Sequence, residues 1–134
     1  MKRSAALADL SREHHTALVW AKRAQASDLR DPQALMASLV GVFAAEIEPH
    51  FRREEDKLLE ALAQVGLHAL VERTLADHAE LRAAIERIRA GDTQALAAFG
   101  ATLAAHVRFE ERELFPAAEA ALPADMLAAI VRAS

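Results

Sequence analysis

Two stretches of this sequence, HFRREEDKL at residues 50–58 and HVRFEEREL at residues 106–114, share His, Arg, two Glu and Leu at equal offsets. Apolar residues recur around both stretches at intervals of three and four, which is the period of an amphipathic helix. In each copy a glutamate follows a histidine after four residues, so the two side chains lie one turn apart on the same helix face. The repeat therefore predicts two helices that carry the same His-x-x-x-Glu pair.

Capping and breaking residues divide the sequence into four long amphipathic segments and a short fifth one. Ser4 is a candidate N-cap for the first segment, and Asp31 followed by Pro32 starts the second. Gly66 and Gly91 follow the second and third segments, where glycine readily adopts the left-handed conformation that ends a helix. Short connections join antiparallel neighbours, so we predict an all-α, up-down-up-down four-helix bundle with a short fifth C-terminal helix. The predicted segments cover about residues 4–26, 32–65, 67–90, 92–115 and 126–132.

Two prolines fall within or at the end of the long segments. Pro49 lacks the N–H that would bond to the carbonyl of Ala45, so we expect a kink in the second helix. Pro116 is expected to break or bend the fourth helix after Phe115. The fifth helix is expected to follow the sequence LPAD at residues 122–125.

Composition and charge narrow the classes of function. The 134 residues are 53% hydrophobic and 27% charged, which predicts a single domain over residues 1–134. The net charge is −4 and no block of Lys or Arg occurs, so neither nucleic acid nor a membrane is expected as a partner. The absence of cysteine excludes disulfides and thiolate-bound metals. Because no signal-like apolar stretch follows the N-terminus, we expect a cytoplasmic protein.

Two further histidines lie on the apolar faces of the first and third segments. A lone histidine on such a face is usually a hydrogen-bonded core residue, and a single His-x-x-x-Glu is usually a surface pair. Here all four helices contribute, so four imidazoles and two carboxylates are predicted to converge at one depth of the core. Burying them unpaired would cost several kcal/mol each, whereas a pair of cations between them removes that cost. The predicted stripes are His14 with Leu7, Leu10, Leu18 and Ala21, and His78 with Leu75, Leu81 and Ile85.

Nitrogen and carboxylate donors without sulfur suit iron, manganese or zinc, and four motifs resemble those of the hemerythrin-like, HHE cation-binding family. The motifs are LSREH at residues 10–14, PHFRREE at 49–55, DH at 77–78 and HVRFEERELFP at 106–116. The resemblance covers about residues 5–120. It implies a helical bundle that holds two non-haem irons, bridged by two helical carboxylates and an oxo or hydroxo group. Transferred by position, it implies bridging by Glu54 and Glu110, with His14 and His50 on one iron and His78 and His106 on the other.

Two choices between neighbouring residues stay open. His14 and His15 are adjacent and only one of them can face the core; His14 is preferred because apolar residues flank it at i−4 and i+4. Glu111 stands where the oxygen-carrying hemerythrins place their second bridging carboxylate. Glu110 is preferred because it repeats the i, i+4 spacing of the first copy.

The sequence departs from the oxygen carriers at one position of the third helix. Those proteins have a His-x-x-x-His there, whereas the residue four before His78 is Thr74. Each metal would then receive about four protein bonds, which leaves an octahedral iron about two open positions. Glu46, one turn before His50 on the same face, is a candidate to fill such a position or to act as an outer partner.

The resemblance and the open positions favour a binding or sensing protein. We expect a di-iron site that binds or senses O2, nitric oxide or peroxide, or iron itself, so that its partner is a small diatomic ligand or peroxide. One alternative is a di-iron oxidase or peroxide-consuming enzyme, although the chain has no tyrosine to hold a radical. The other is a metal-free helical adaptor. We expect a monomer or a weak homo-oligomer.

Overall fold

The computed structural model describes residues 4–26 and 31–132, and helices account for nearly all of them. Neither of these two ranges contains a β-strand. The predicted all-α bundle with a short fifth helix is confirmed. The helices are α1 (Ala5–Gln25), α2 (Pro32–Gln64), α3 (His68–Arg89), α4 (residues 95–121) and α5 (Ala124–Arg132).

The ends of the long helices follow the local signals in the sequence. The side chain of Asp31 accepts a hydrogen bond from the backbone N–H of Ala34 at 3.1 Å, which caps α2 in front of its first-turn proline. Gly66 and Gly91 have φ angles of 85° and 100°, and they end α2 and α3 in the left-handed region. Ser4 precedes α1, but its side chain makes no capping hydrogen bond.

Three π turns interrupt the regular helical hydrogen bonding, at Phe43–Ile47, Glu54–Leu59 and Glu110–Leu114. The first and third end two residues before Pro49 and Pro116. The N–H of Glu48 bonds to the carbonyl of Phe43, and the N–H of Phe115 bonds to the carbonyl of Glu110. The prediction that α4 ends near Phe115 is wrong, because the wider turn accommodates the proline and the helix continues to residue 121.

The helices do not approach one another equally. Backbone contact is close between α1 and α4, between α4 and α3, and between α3 and α2. At the α1–α4 seam, a Cβ atom on Gly100 would lie 2.5 Å from the carbonyl oxygen of Ala21. Across the seam between α1 and α2, side chains make the contact, as in the ion pair of Glu13 with Arg53. The bundle is therefore tight along one side of α1 and looser along the other.

Two clusters of buried apolar side chains fill the bundle, one on either side of a buried polar layer. Along α1, for example, His14 lies between Leu10 of one cluster and Ala17 of the other. Burial of each cluster removes apolar surface from water and holds the four helices in register at the level of the polar layer.

Two apolar residues that the sequence placed on the core stripes are exposed. Leu18 is 41% exposed and Leu75 is 44% exposed, so the prediction for these two positions is wrong. Ala17 and Thr74 take the inward positions instead. Ala17 belongs to one of the buried clusters, whereas Leu18 lines a surface groove with Ala104 and Arg108 of α4.

By length and composition, α2 is able to cross a membrane, with a mean hydropathy of 1.2 over its most apolar window. One third of that window is buried inside the bundle. The core helix of a soluble bundle can have the same length and apolar composition as a membrane-spanning helix.

Candidate metal centre

The polar layer consists of seven side chains that are almost completely withdrawn from solvent. Their exposed fractions run from 0% to 6%, and apolar clusters cover the layer on both sides. Ionisable groups are rarely buried to this extent unless they are paired or bind a metal. The seven are His14, His50, Glu54, Thr74, His78, His106 and Glu110.

One half of the layer lies between α1, α2 and α4. The Nε2 atom of His14 lies 2.8 Å from Oε1 of Glu110, and Nε2 of His50 lies 3.1 Å from Oε2 of Glu54. One ligand atom from each of these four residues lies within 4.8 Å of the others. Two imidazoles and two carboxylate oxygens therefore face one point.

The other half lies between α2, α3 and α4 and uses the remaining oxygen of each carboxylate. The Nε2 atom of His78 lies 3.0 Å from Oε1 of Glu54, and Nε2 of His106 lies 3.3 Å from Oε2 of Glu110. These four residues also form a compact group. Glu54 and Glu110 belong to both groups, and each offers a different oxygen to either group.

Several nitrogen and oxygen atoms of the layer that could bind a metal lack a hydrogen-bond partner. Within the described ranges these are Nε2 of His50 and of His106, and one oxygen each of Glu54 and Glu110. Leaving such atoms unsatisfied in a protein interior costs about 1–3 kcal/mol each. A cation in each group would use all four atoms as ligands, so the residues present fit a pair of metal ions.

Each of the four histidines directs its other ring nitrogen to a carboxylate outside the layer. This arrangement fixes the ring orientation and leaves Nε2 facing the centre. The Nδ1 pairs are His14 with Glu111 at 2.7 Å, His50 with Glu13 at 2.8 Å, His78 with Glu55 at 2.7 Å and His106 with Asp77 at 2.9 Å.

The role of these four carboxylates as partners of the rings was not predicted from the sequence. A signal was present, because an acidic residue precedes both His14 and His78 and another follows both Glu54 and Glu110. If α1 and α2 are taken as one hairpin and α3 and α4 as the other, the acidic residue before a histidine contacts the ring on the second helix of its own hairpin, as Glu13 contacts His50. The residue after a glutamate contacts the ring on the other hairpin. The two hairpins thus build the centre with the same set of contacts.

Cationic side chains hold three of the outer carboxylates in turn. Arg53 pairs with Glu13 at 2.5 Å and Arg82 pairs with Glu55 at 2.8 Å. Arg73 pairs with Asp77 at 3.2 Å. Burial raises the pKa of each carboxyl, but hydrogen bonds to its histidine and its arginine outweigh burial and lower the pKa below the ordinary value. These carboxylates are therefore anions that hold the rings in place.

Protonation of the rings balances the carboxylates when no cation is bound. Burial lowers the pKa of His106, but the neighbouring carboxylates of Asp77 and Glu110 outweigh burial and raise this pKa to about 10. For His50 as well, nearby carboxylates outweigh burial and raise the pKa well above its ordinary value. A metal ion requires the neutral ring, so binding must release these protons.

The structure also shows where the residues lie in the two choices that the sequence left open, His14 or His15 and Glu110 or Glu111. His14 is buried in the layer, whereas its neighbour His15 is exposed. Glu110 lies in the layer, and Glu111 holds the outer nitrogen of His14. Thr74 is fully buried, and its hydroxyl donates a hydrogen bond to the carbonyl of Leu70 at 2.8 Å, one turn earlier.

Two of the three π turns begin at the shared carboxylates, Glu54 and Glu110. Single π turns inside α-helices are frequent at functional sites, because they change the direction of neighbouring side chains. In both helices the turn begins where the His-x-x-x-Glu pair ends. The two copies of the repeat therefore share this backbone irregularity as well as their side chains.

A cavity of about 140 Å³ adjoins one half of the centre. His14 and His50 line it, together with Glu13, Glu46, Arg53 and apolar side chains of α1, α2 and α4. His106 and Glu110 also line it, whereas His78 and Thr74 do not. The cavity follows the looser seam between α1 and α2, and Glu46 is exposed at its rim.

Comparison with known proteins agrees with this geometry. The family model described as Hemerythrin HHE cation binding domain matches residues 5–118, a span that contains all six donors of the polar layer. No curated protein and no solved structure matches the chain significantly.

Proposed function

We propose that this chain, which belongs to the Hemerythrin HHE cation-binding domain family, is a non-haem di-iron protein that binds or senses O2, nitric oxide or peroxide, or iron itself. The observation that carries the proposal is the placement of Glu54 and Glu110. Each has one oxygen in the His14–His50 group and the other oxygen in the His78–His106 group. Two carboxylates in that position suit a bridged pair of cations.

The donor set supports iron as the metal. Each group offers two imidazole nitrogens and two carboxylate oxygens, without sulfur. Such a set suits iron, manganese or zinc, and six-coordinate iron would keep about two positions for an outside ligand. Two ferrous ions held there would supply the electrons for a reaction with a small oxidant.

The protein's own residues supply the rest of the chemistry. The apolar clusters keep bulk water from the layer, and the outer carboxylates hold each ring with Nε2 toward the centre. The cavity beside His14 and His50 is large enough for several water molecules at about 30 Å³ each, so a diatomic molecule or peroxide fits.

Elemental analysis and an optical spectrum test the proposal. After anaerobic reconstitution with ferrous iron, we expect about two irons per chain, and new near-ultraviolet and visible bands on exposure to air. His50→Ala and His106→Ala should lose metal, because each removes a ring from the polar layer. The matched control is His15→Ala, which changes an exposed ring next to the centre. Retention of less than about 0.2 equivalents of iron by the wild-type protein would exclude a di-iron site.

A peroxide-consuming enzyme is a second candidate, which the cavity favours. The cavity places the exposed carboxylate of Glu46 near the open half of the centre, where a proton donor would be useful. The absence of tyrosine argues against reactions that need a tyrosyl radical. The rate of peroxide loss per bound iron, compared with the rate for free ferrous iron, distinguishes an enzyme from a binding protein.

A metal-free helical adaptor is the third candidate, and the four unpartnered donor atoms of the layer oppose it. An adaptor would keep the same melting temperature after treatment with a chelator. A protein whose core holds metal should melt at a lower temperature, because binding to the folded state alone stabilises that state.

A further inference from the structure

We propose that the cavity is the route by which metal ions enter and leave the centre, with Glu46 as the first ligand at its rim. The inference rests on the proposed function, because it assumes that the polar layer binds metal. It predicts that the two cation positions exchange unequally. A metal ion between His14 and His50 exchanges with solvent directly. A metal ion between His78 and His106 exchanges with solvent by way of the first position.

The half of the centre around His78 is closed. His78 is fully buried, and its ring stacks on that of Phe51 with the centroids 3.9 Å apart. Arg82 donates hydrogen bonds to Glu48 at 2.9 Å and to Glu55 at 2.8 Å, which ties α3 to α2 across this half. A cation could reach His78 from that side only if these contacts separated.

The half around His50 is open to the cavity. The Nε2 atom of His50 is buried and has no hydrogen-bond partner among residues 4–26 and 31–132, and the ring lines the cavity wall. The cavity runs along the seam where α1 and α2 meet through side chains rather than through close backbone contact. A cation that follows the cavity therefore meets the rings of His14 and His50, whereas that of His78 does not line it.

The charges along the cavity select a cation. Glu13 also lines the wall, but His50 and Arg53 both pair with it, so its charge is compensated. Glu46 is exposed and forms no ion pair in the part of the chain that the structure describes. Because it lies four residues before His50, it stands about one helical turn from the first buried ring. An uncompensated carboxylate at the rim raises the local concentration of cations.

The rate of metal uptake tests the role of Glu46. Metal-free full-length protein is mixed anaerobically with ferrous iron, and unbound iron is trapped by a ferrous chelator at successive times. Glu46→Gln should take up iron at least about threefold more slowly at low ionic strength, and the difference should shrink at high salt. The final content should remain at the wild-type value. Glu60→Gln, an exposed glutamate of the same helix away from the cavity, is the matched control.

A steric variant tests the route itself, independently of charge. Ala45 is exposed and lines the cavity, so Ala45→Trp should narrow the opening and slow uptake and release by the same factor. Ala76→Trp places the same side chain at an exposed position of α3 and should leave both rates unchanged. If Glu46→Gln and Ala45→Trp both load at the wild-type rate while the protein still binds two irons, the inference is wrong. If the wild-type protein binds no iron, the proposed function fails instead.

Discussion

The two halves of the candidate centre have the same donors but different surroundings. Each combines two histidine rings with one oxygen from Glu54 and one from Glu110. The half at His14 and His50 adjoins a cavity, whereas His78 is stacked against Phe51 and fully enclosed. The comparison shows that a sequence repeat can specify equal ligand sets while the packing of the helices makes the two positions unequal.

The largest effect is expected from a residue that belongs to both halves. Glu110→Ala removes one oxygen from each group, so it should lower the affinity for both metals by more than the 10- to 100-fold typical of outer partners. Metal content after dialysis against a weak chelator measures this. Glu113→Ala, an exposed glutamate three residues later, is the control. If the variant kept two tightly bound metals, Glu110 would not be a bridge.

Outer carboxylates should have smaller effects, and the two halves should differ. Asp77→Asn removes the anion that holds His106, and Glu13→Gln removes the one that holds His50. Each should weaken metal binding by about 10- to 100-fold. The side chain of Asp77 is 15% exposed and that of Glu13 is 38% exposed, so water replaces the lost carboxylate less easily at Asp77 and its variant should lose more. Equal losses in competitive chelator titrations would contradict this difference between the halves.

The pH dependence of stability separates the metal-free protein from the loaded protein. The pKa of His106 is raised from 6.5 to about 10, so protonation of its ring stabilises the metal-free fold fully below about pH 6.5. This contribution is lost as the pH rises through about 10. We therefore expect the Tm of the metal-free protein to fall by several degrees between about pH 7 and pH 10. In the loaded protein the ring is already neutral, so its Tm should fall less over the same range, and parallel curves would count against the assignment.

The smallest effect concerns the close seam between α1 and α4, with Gly41 of α2 as the comparison. Gly100→Ala places a Cβ 2.5 Å from the carbonyl oxygen of Ala21, so it should lower the free energy of unfolding by about 1–3 kcal/mol. A Cβ added to Gly41 would meet no atom within 4 Å, and Gly41→Ala should raise the free energy of unfolding by about 0.5–1 kcal/mol. Denaturant titration of the metal-free proteins measures both. A neutral Gly100→Ala would mean that the α1–α4 seam can open as easily as the cavity side.

Much of the fold followed from local signals. Asp31 and Pro32 start α2, and Gly66 and Gly91 end α2 and α3, because capping depends on a few adjacent residues. The prediction for the end of α4 was wrong, because the π turn before Pro116 that lets the helix continue cannot be read from the proline alone.

The core stripes were predicted less well than the helices. Leu18 and Leu75 are apolar and fit the helical period, yet both are exposed. Periodicity allows either i+3 or i+4 as the next inward position, and the partner helix selects one of them. At α1 the inward position is Ala17, whereas Leu18 lines a surface groove with Ala104 of α4.

The sequence by itself was enough to predict the helical bundle and to predict that the six donor residues lie at one depth of its core. Both results depend on short-range geometry, because residues four apart share a helix face in any helix and the repeat applies the same spacing twice. Only the tertiary structure decided which carboxylate holds each ring and which half adjoins a cavity. Contacts such as Glu13 with His50 cross between helices, and their distances depend on how closely the helices pack rather than on spacing along the chain.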